Sequence, residues 1–385
     1  MPTYPTYKLG EILSYEQPTN YIVESTEYDD SYPTPVLTAG KSFILGYTNE
    51  TKGVYDKLPV IIFDDFTTAS QFVDFKFKVK SSAMKILSCN EEIADIKYMY
   101  YLMQITHIQS DTHKRYWISV YSKVPVSLPP LPIQHAIVTR IETLFAELDK
   151  AVQHLRTAQQ QLKTYRQAVL NHWLNNEDGK WEMVNISCFL DNSCKGMMTG
   201  PFGTALKKSE HKSCGVPVLG IENIGEGSFV MPNKIFVTKE KAEELKTFAV
   251  KTDDIIISRS GTVGEICKVP LFMNDALLST NLIRIRLNLD LINADYFVLL
   301  FQSSQIKQQV KDLCKGTTRA FLNQTILNQI SFPLPPLVEQ QHIVQEIESR
   351  LSQATASETY IENALQQAEA LRQSILKKAF SGELV

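Results

Sequence analysis

Three stretches in the second half of the chain mix cationic side chains with glycine and hydroxyls. They are Phe202-Gly203 through Lys207-Lys208, Ser258-Arg259-Ser260-Gly261-Thr262, and Lys315-Gly316-Thr317-Thr318-Arg319. Glycine lets a backbone come close to a ligand, and a guanidinium fork or an ammonium matches phosphate oxygens and the guanine edge. The first half carries counterparts. Asp64-Asp65-Phe66-Thr67-Thr68 offers short acceptors and hydroxyls, and His113-Lys114-Arg115-Tyr116-Trp117 offers cations beside stacking rings. Between them, residues 73–80 alternate strictly, which predicts one strand with Val73, Phe75, Phe77 and Val79 inward and Lys76, Lys78 and Lys80 outward. Such lysines fit a phosphate-tracking ridge and equally fit gatekeepers on an edge strand. The chemistry on offer is recognition of a polyanion.

Bond-making chemistry is not assembled anywhere in the sequence. Gly200-Pro201-Phe202-Gly203 with Lys207-Lys208 lacks the Gly-Lys-Ser/Thr ending of a phosphate loop. Gly261-Thr262-Val263-Gly264 lacks the third glycine and downstream acid of a dinucleotide fold, and reads as a tight turn. No Asn-Pro-Pro-aromatic tetrad of an amino-methyltransferase is present, and Glu244-Leu245-Lys246 has no upstream Asp to make a nuclease centre. His211 and Cys214 suit a surface pair better than a metal ligand pair, so no catalytic residue and no metal is expected.

The elements that position the recognition stretches are revealed by an internal repeat. Leu128-Pro129-Pro130-Leu131 recurs as Leu334-Pro335-Pro336-Leu337, and the match continues without a gap from Gln134, Ile137 and Ile141-Glu142 to Gln340, Ile343 and Ile347-Glu348. Neither Gly nor Pro interrupts 134–174 or 340–380, which predicts two long helices of about 60 Å at about 1.5 Å per residue. A 3-4 alternation runs through Ile141, Leu144, Leu148, Ala151, Leu155, Ala158, Leu162, Tyr165 and Val169, and again, with smaller residues, through Ile347, Leu351, Ala354, Ser357, Ile361, Ala364, Ala368, Leu371 and Ile375. This narrow stripe is a coiled-coil seam, with the two helices pairing as an antiparallel coiled coil.

The segments before the helices read as diverged copies of each other. Pro35-Val36-Leu37 and Pro217-Val218-Leu219 agree in order, as do the apolar strands at 60–63 and 255–257 and the helical starts at Lys97 and Asp295. Short β-rich runs with one helix near the end make them α+β globules. Four segments result: a globule over 1–127, a helix over 128–175, a second globule over 176–333 and a second helix over 334–385.

Composition agrees with a folded chain. At 385 residues, 44% apolar and 21% charged, it has room for two or more cores. No stretch reaches 18 uninterrupted apolar residues and the start has no leader pattern, so a cytoplasmic protein is expected. The six cysteines show no CxxC, which suits buried reduced thiols. The net charge of −3 divides evenly, with 12 Lys/Arg against 15 Asp/Glu over 1–127 and 18 against 17 over 176–327. Any DNA affinity must therefore come from local clustering or from partner subunits.

With these motifs in place, the chain resembles the specificity (S) subunits of type I restriction-modification systems over essentially its whole length. The residues that carry the resemblance are Gly200-Pro201-Phe202-Gly203, Asp253 through Gly264, Thr317-Thr318-Arg319 with Phe321-Leu322-Asn323, Leu334-Pro335-Pro336-Leu337 with Glu339-Gln340, and the ending Leu371 through Leu384. The resemblance implies that each globule is a target recognition domain and that the coiled coil is a spacer binding two methyltransferase subunits. It further implies a bipartite double-stranded DNA target methylated on adenine, with restriction/translocase subunits added for cleavage in phage defence. S-adenosylmethionine, ATP and magnesium would then sit on partner subunits, and none on this chain. Two departures stand out: Pro132-Ile133 replaces the Val338-Glu339 of the terminal copy, and the first globule lacks the Gly-Pro-Phe-Gly and Ser-Arg-Ser-Gly motifs. The competing reading is a coiled-coil scaffold that pairs proteins and never touches DNA.

Overall fold

The computed structural model describes residues 4–40, 42–106, 115–176, 178–202, 205–314 and 321–384. The chain divides into two units, one of Met1–Arg156 with Glu362–Val385 and one of Thr157–Ile361. Two helices of 44 residues, Leu131–Leu174 and Leu337–Phe380, supply residues to each. Each begins just after its Pro-Pro pair, because a residue before proline is held extended and proline itself suits a helix start.

In the first unit, Leu13–Glu16, Met84–Cys89, Val60–Asp64 and Ser70–Val73 form a four-stranded antiparallel sheet in that spatial order. A smaller sheet sets Thr34–Leu37 between an antiparallel Ile44–Thr48 and a parallel Lys78–Val79. The large sheet is apolar on both faces. Ile61, Phe63 and Leu87 pack toward the helix Ile96–Ile105 and the start of the central helix, while Val60, Ile62 and Ile86 pack with Leu37, Phe77 and Val79. The chain enters and leaves this globule on adjacent strands, Thr6–Lys8 paired with Pro125–Ser127.

The second unit repeats the plan. Met197–Thr199, Leu282–Ile285, Ile255–Ser258 and Ile266–Lys268 form the four-stranded sheet. Val216–Leu219 lies between Ile235–Val237 and Leu277–Leu278, the latter again parallel. Glu182–Asn185 pairs with Ser331–Leu334 at the entrance and exit. Both sheet orders match those of the first unit strand for strand, so the duplication covers the globules as well as the helices.

The long helices meet inside each unit. In the first, Ile141 and Phe145 share a core with Ile375, Leu376 and Ala379, and Arg372 lies 4.2 Å over the Phe145 ring while pairing with Asp149. In the second, Val169, Leu170 and Leu174 share a core with Ile343, Val344 and Ile347, and Arg166 reaches Glu358 at 3.0 Å. Leu144, Leu148, Leu155, Leu162 and Leu351 are half-buried, and Ile361 is buried. Leu371 departs from the expected seam, being 50% exposed. Here the stripe turns to face the globule through Ile375, Leu376 and Ala379, and the Arg372 stem and guanidinium cover Phe145 instead.

The expected strand over 73–80 is also corrected. Only Ser70–Val73 and Lys78–Val79 are extended in sheets, and they belong to different sheets. Lys78 is buried with its ammonium 2.6 Å from Glu50 and 2.8 Å from the Lys52 carbonyl, whereas Phe75 is exposed. Alternation across 73–80 fails because the chain crosses from one sheet to the other between the two strands. The cysteines divide as well: Cys267 and Cys314 are buried, Cys89 half-buried, and Cys188, Cys194 and Cys214 exposed, all free. Among the described residues no helix is long and apolar enough to cross a membrane, and no cluster of His, Cys, Asp and Glu could hold a metal.

Candidate nucleic-acid interface

In both globules the central strand of the large sheet ends in a loop that begins with a buried charge. Val60–Asp64 is followed by Asp65 and Ile255–Ser258 by Arg259, which are 1% and 6% exposed. The backbone around each is pinned in the same way. The amide of Asp65 donates to Ala83 O at 3.0 Å and that of Arg259 to Asn281 O at 2.9 Å. Their carbonyls accept from Tyr116 N and Leu322 N, both at 2.9 Å. The two loops therefore occupy one structural position in the two copies, even though they share no motif.

Their chemistry differs. Asp65 accepts from the Trp117 amide at 2.8 Å and lies 3.5 Å from the Lys85 ammonium, which is itself buried. A buried carboxylate is tolerable only with such partners. Arg259 has no carboxylate partner among the described residues. Its guanidinium is held between two rings, 4.2 Å from the centroid of Phe321 and 4.9 Å from that of Phe202. Nη1 makes one long bond to the Thr280 carbonyl at 3.4 Å, and Nε finds no acceptor among the described residues. Burial lowers its pKa from the usual guanidinium value. The ring faces supply what water no longer does.

Around Arg259 the second loop is compact. Ser258 is buried and its hydroxyl donates to Ser260 O at 3.0 Å; the Ser260 hydroxyl donates to Asn281 Oδ1 at 3.0 Å. Thr262 stands exposed beside Gly261, whose φ of +79° is left-handed and suits glycine. Phe202, Ser260 and Thr262 are thus brought together at the surface over the nearly buried Arg259, whereas Ser258, fully buried with its hydroxyl spent on Ser260 O, is not available there. Lys207 and Lys208 are exposed on the segment leading into the short turn Lys208–Glu210.

In the first globule, Thr67 is exposed and Thr68 half-buried at φ 60°. Asp64 shapes this turn by accepting from the amides of Phe66 at 2.8 Å and Thr67 at 2.9 Å. Lys76, Lys80 and Arg115 are exposed. Lys78 is not available at the surface, as its burial against Glu50 shows. Gly203, His113, Lys114, Lys315, Thr317, Thr318 and Arg319 lie outside the described residues.

Sequence reasoning singled out the stretches that hold Asp65 and Arg259 but missed their burial and their supports. Nothing in the spacing marks Asp65 or Lys85 as partners, and Phe321, Thr280 and Asn281 reach Arg259 only through the fold. The alignable signal was the position of Asp65 and Arg259, each the first residue past the matching apolar strand.

Comparison with known proteins points the same way. The family model "Type I restriction modification DNA specificity domain" matches residues 1–155 and 200–367. The chain is 34% identical over 352 residues to the EcoR124I/EcoR124II type I restriction enzyme specificity subunit of Escherichia coli, covering 88% of this chain and 84% of that one. Among solved structures it is similar to a chain from a study of complex assembly and conformational transition of the type I R-M system, with a TM-score of 0.76 at 18% identity, covering 100% of this chain and 99% of that one. It is also similar to the HsdS subunit of Thermoanaerobacter tengcongensis, with a TM-score of 0.56 at 18% identity over 100% and 98% of the two chains. Two matched sheet systems, two matched helices and a family model spanning both halves lead to one conclusion: the chain belongs to the type I restriction-modification specificity subunits.

Proposed function

We propose that the chain reads a bipartite double-stranded DNA target, one half-site per globule, while its two long helices pair as an antiparallel coiled coil that docks two methyltransferase subunits. As a specificity subunit it is the non-catalytic, sequence-specific DNA-recognition component of a type I restriction-modification complex, and the scaffold reading is not favoured. The observation that carries the bipartite reading is the repeated loop position. Asp65 and Arg259 open equivalent loops on equivalent strands, yet differ in charge and surroundings. Two copies of one frame with different loop chemistry suit two half-sites of different sequence.

The antiparallel pairing is supported by the contacts within each unit. Residues near 145–149 of the central helix meet Arg372, and Arg166 meets Glu358, so the partner number falls as the first number rises. Adenine methylation and ATP-driven restriction belong, under this reading, to partner subunits carrying S-adenosylmethionine, ATP and magnesium. Here the protein's own part is to bind and orient the duplex.

Replacing residues 1–127 with the corresponding globule of a relative tests the reading. Mapping methylated adenines in cells carrying the hybrid should show one half-site changed and the other kept. A simultaneous change in both half-sites would falsify the one-globule, one-half-site assignment.

A further inference from the structure

The Phe202 ring is 59% exposed, yet the backbone that carries it is fixed on the inner side. Gly200 N donates to Leu282 O at 3.0 Å, and the Thr280 hydroxyl donates to Pro201 O at 2.8 Å. A Cβ at Gly200 would stand 1.9 Å from Ser279 O, so this segment lies flush against the strand end it crosses. The ring itself is held by Arg259, whose guanidinium is backed in turn by Phe321. A large apolar ring is thereby presented to solvent in a set position. A single exposed ring is ordinary on a protein surface; what sets Phe202 apart is the buried guanidinium that holds it.

Arg259 is poorly placed to read a base by itself. It is 6% exposed, its backbone is bonded at both N and O, and turning the fork outward would give up both ring contacts. The exposed partner of the pair is Phe202, and the buried partner is the cation that holds it. An apolar ring set in this way can enter a partly unstacked base step, and prior fixing reduces the ordering cost on binding.

We propose that Phe202 is a wedge that stacks against a base step of the duplex in the second half-site, and that Arg259 is a positioning residue for this ring. This inference rests on the DNA-reading role proposed above and assigns its chemistry in one globule. In the first globule an exposed ring, Phe66 at 46%, follows the buried Asp65 on the loop equivalent to that of Arg259 rather than that of Phe202.

The test uses the full chain assembled with its methyltransferase subunits and duplexes carrying the mapped target, with 2-aminopurine placed at successive positions of the second half-site. Wild-type complex should raise the fluorescence at one step. Phe202→Ala should abolish that rise and weaken binding about 5-fold to 150-fold, the range for losing one stacked base. The dependence of affinity on salt should stay as it was, since a phenyl ring displaces no counterion. Phe202→Trp should retain both signals. Arg259→Ala should reproduce the Phe202→Ala loss, add little to it in the double variant, and leave the salt slope unchanged, with Arg259→Lys recovering part of the affinity. Wild-type affinity and fluorescence in Phe202→Ala overturn the wedge, and so does an Arg259→Ala variant whose salt slope shrinks by about one. If the wild-type complex does not prefer the mapped duplex over an unrelated one, the DNA-reading role itself fails, which the Phe202 variants alone could not show.

Discussion

Gln134 and Gln340 stand at the same point of the two long helices and make the same hydrogen bonds. Gln134 donates to the carbonyls of Pro129 at 2.7 Å and Ile93 at 2.8 Å and accepts from the Asp95 amide at 2.8 Å. Gln340 donates to Pro335 O at 2.8 Å and Leu291 O at 3.0 Å and accepts from the Asn293 amide at 2.7 Å. Both glutamines are fully buried. Each fastens the chain just before its globule's helix to the first turn of the next long helix, within one unit.

Gln340→Leu should therefore be costly although it conserves bulk. It leaves the buried Pro335 O without its partner, a penalty of about 1–3 kcal/mol, and takes the same partner from the part-buried Asn293 N and Leu291 O. The urea midpoint of the variant measures it, and an unchanged midpoint would show that water replaces the amide.

Glu339 supplies a pH-dependent clasp in the same region. Its carboxylate pairs with Lys180 and accepts from Trp181 Nε1 at 3.1 Å, and the Lys180 ammonium foremost holds its pKa below the usual carboxylate range, against a smaller upward push from burial. A depressed carboxylate stabilises the fold above its unfolded-state pKa, and the contribution is lost as pH falls through the lower folded value. Wild-type stability should drop in that acidic window more steeply than that of Glu339→Gln. Parallel acid titrations of the two proteins would refute the clasp.

The lysines of the first globule separate by function. Lys78→Ala should lower stability, because it strips the Glu50 carboxylate of its 2.6 Å partner inside the fold. Lys76→Ala and Lys80→Ala, both at exposed positions, should leave melting unchanged. If they touch phosphate, each should reduce the salt slope of DNA binding by about 0.9. Melting curves and binding at several salt concentrations decide, and a stability loss in the exposed pair would contradict the placement.

Four residues inserted near Gln160 lengthen the central helix by about 6 Å and rotate its C-terminal portion by about 40°. Methylation mapping should show the unread gap between half-sites lengthened and the half-sites themselves preserved. An unaltered gap would exclude the helix as its ruler.

The helices were the most legible part of the chain, because a 3-4 apolar pattern free of Gly and Pro repeats with the same spacing at Ile141 and Ile347. The globules were legible only as order, since Val60-Ile61-Ile62-Phe63 and Asp254-Ile255-Ile256-Ile257 mark buried strands without naming their neighbours. Leu371 shows where periodicity stops informing: a stripe that leaves its partner helix for a globule keeps its spacing and loses its exposure pattern. Lys78 shows the same for strands, as alternation cannot reveal that Ser70–Val73 and Lys78–Val79 lie in different sheets. Arg259 was legible as a residue of interest through Gly261 and its serines, but its enclosure by Phe202 and Phe321 depends on chain segments about sixty residues away on either side.

Each globule begins and ends on paired strands, Thr6–Lys8 with Pro125–Ser127 and Glu182–Asn185 with Ser331–Leu334. Asn185 sits opposite Ser331 in register, so the two cut ends left by removing 186–330 would lie about 5 Å apart, within reach of a two-residue hairpin turn. For protein engineering the globule is therefore a cassette closed at its own neck, exchangeable for a related one that keeps the apolar face packed on Val169, Leu170, Ile343 and Ile347 and the backbone groups bonded by Gln340.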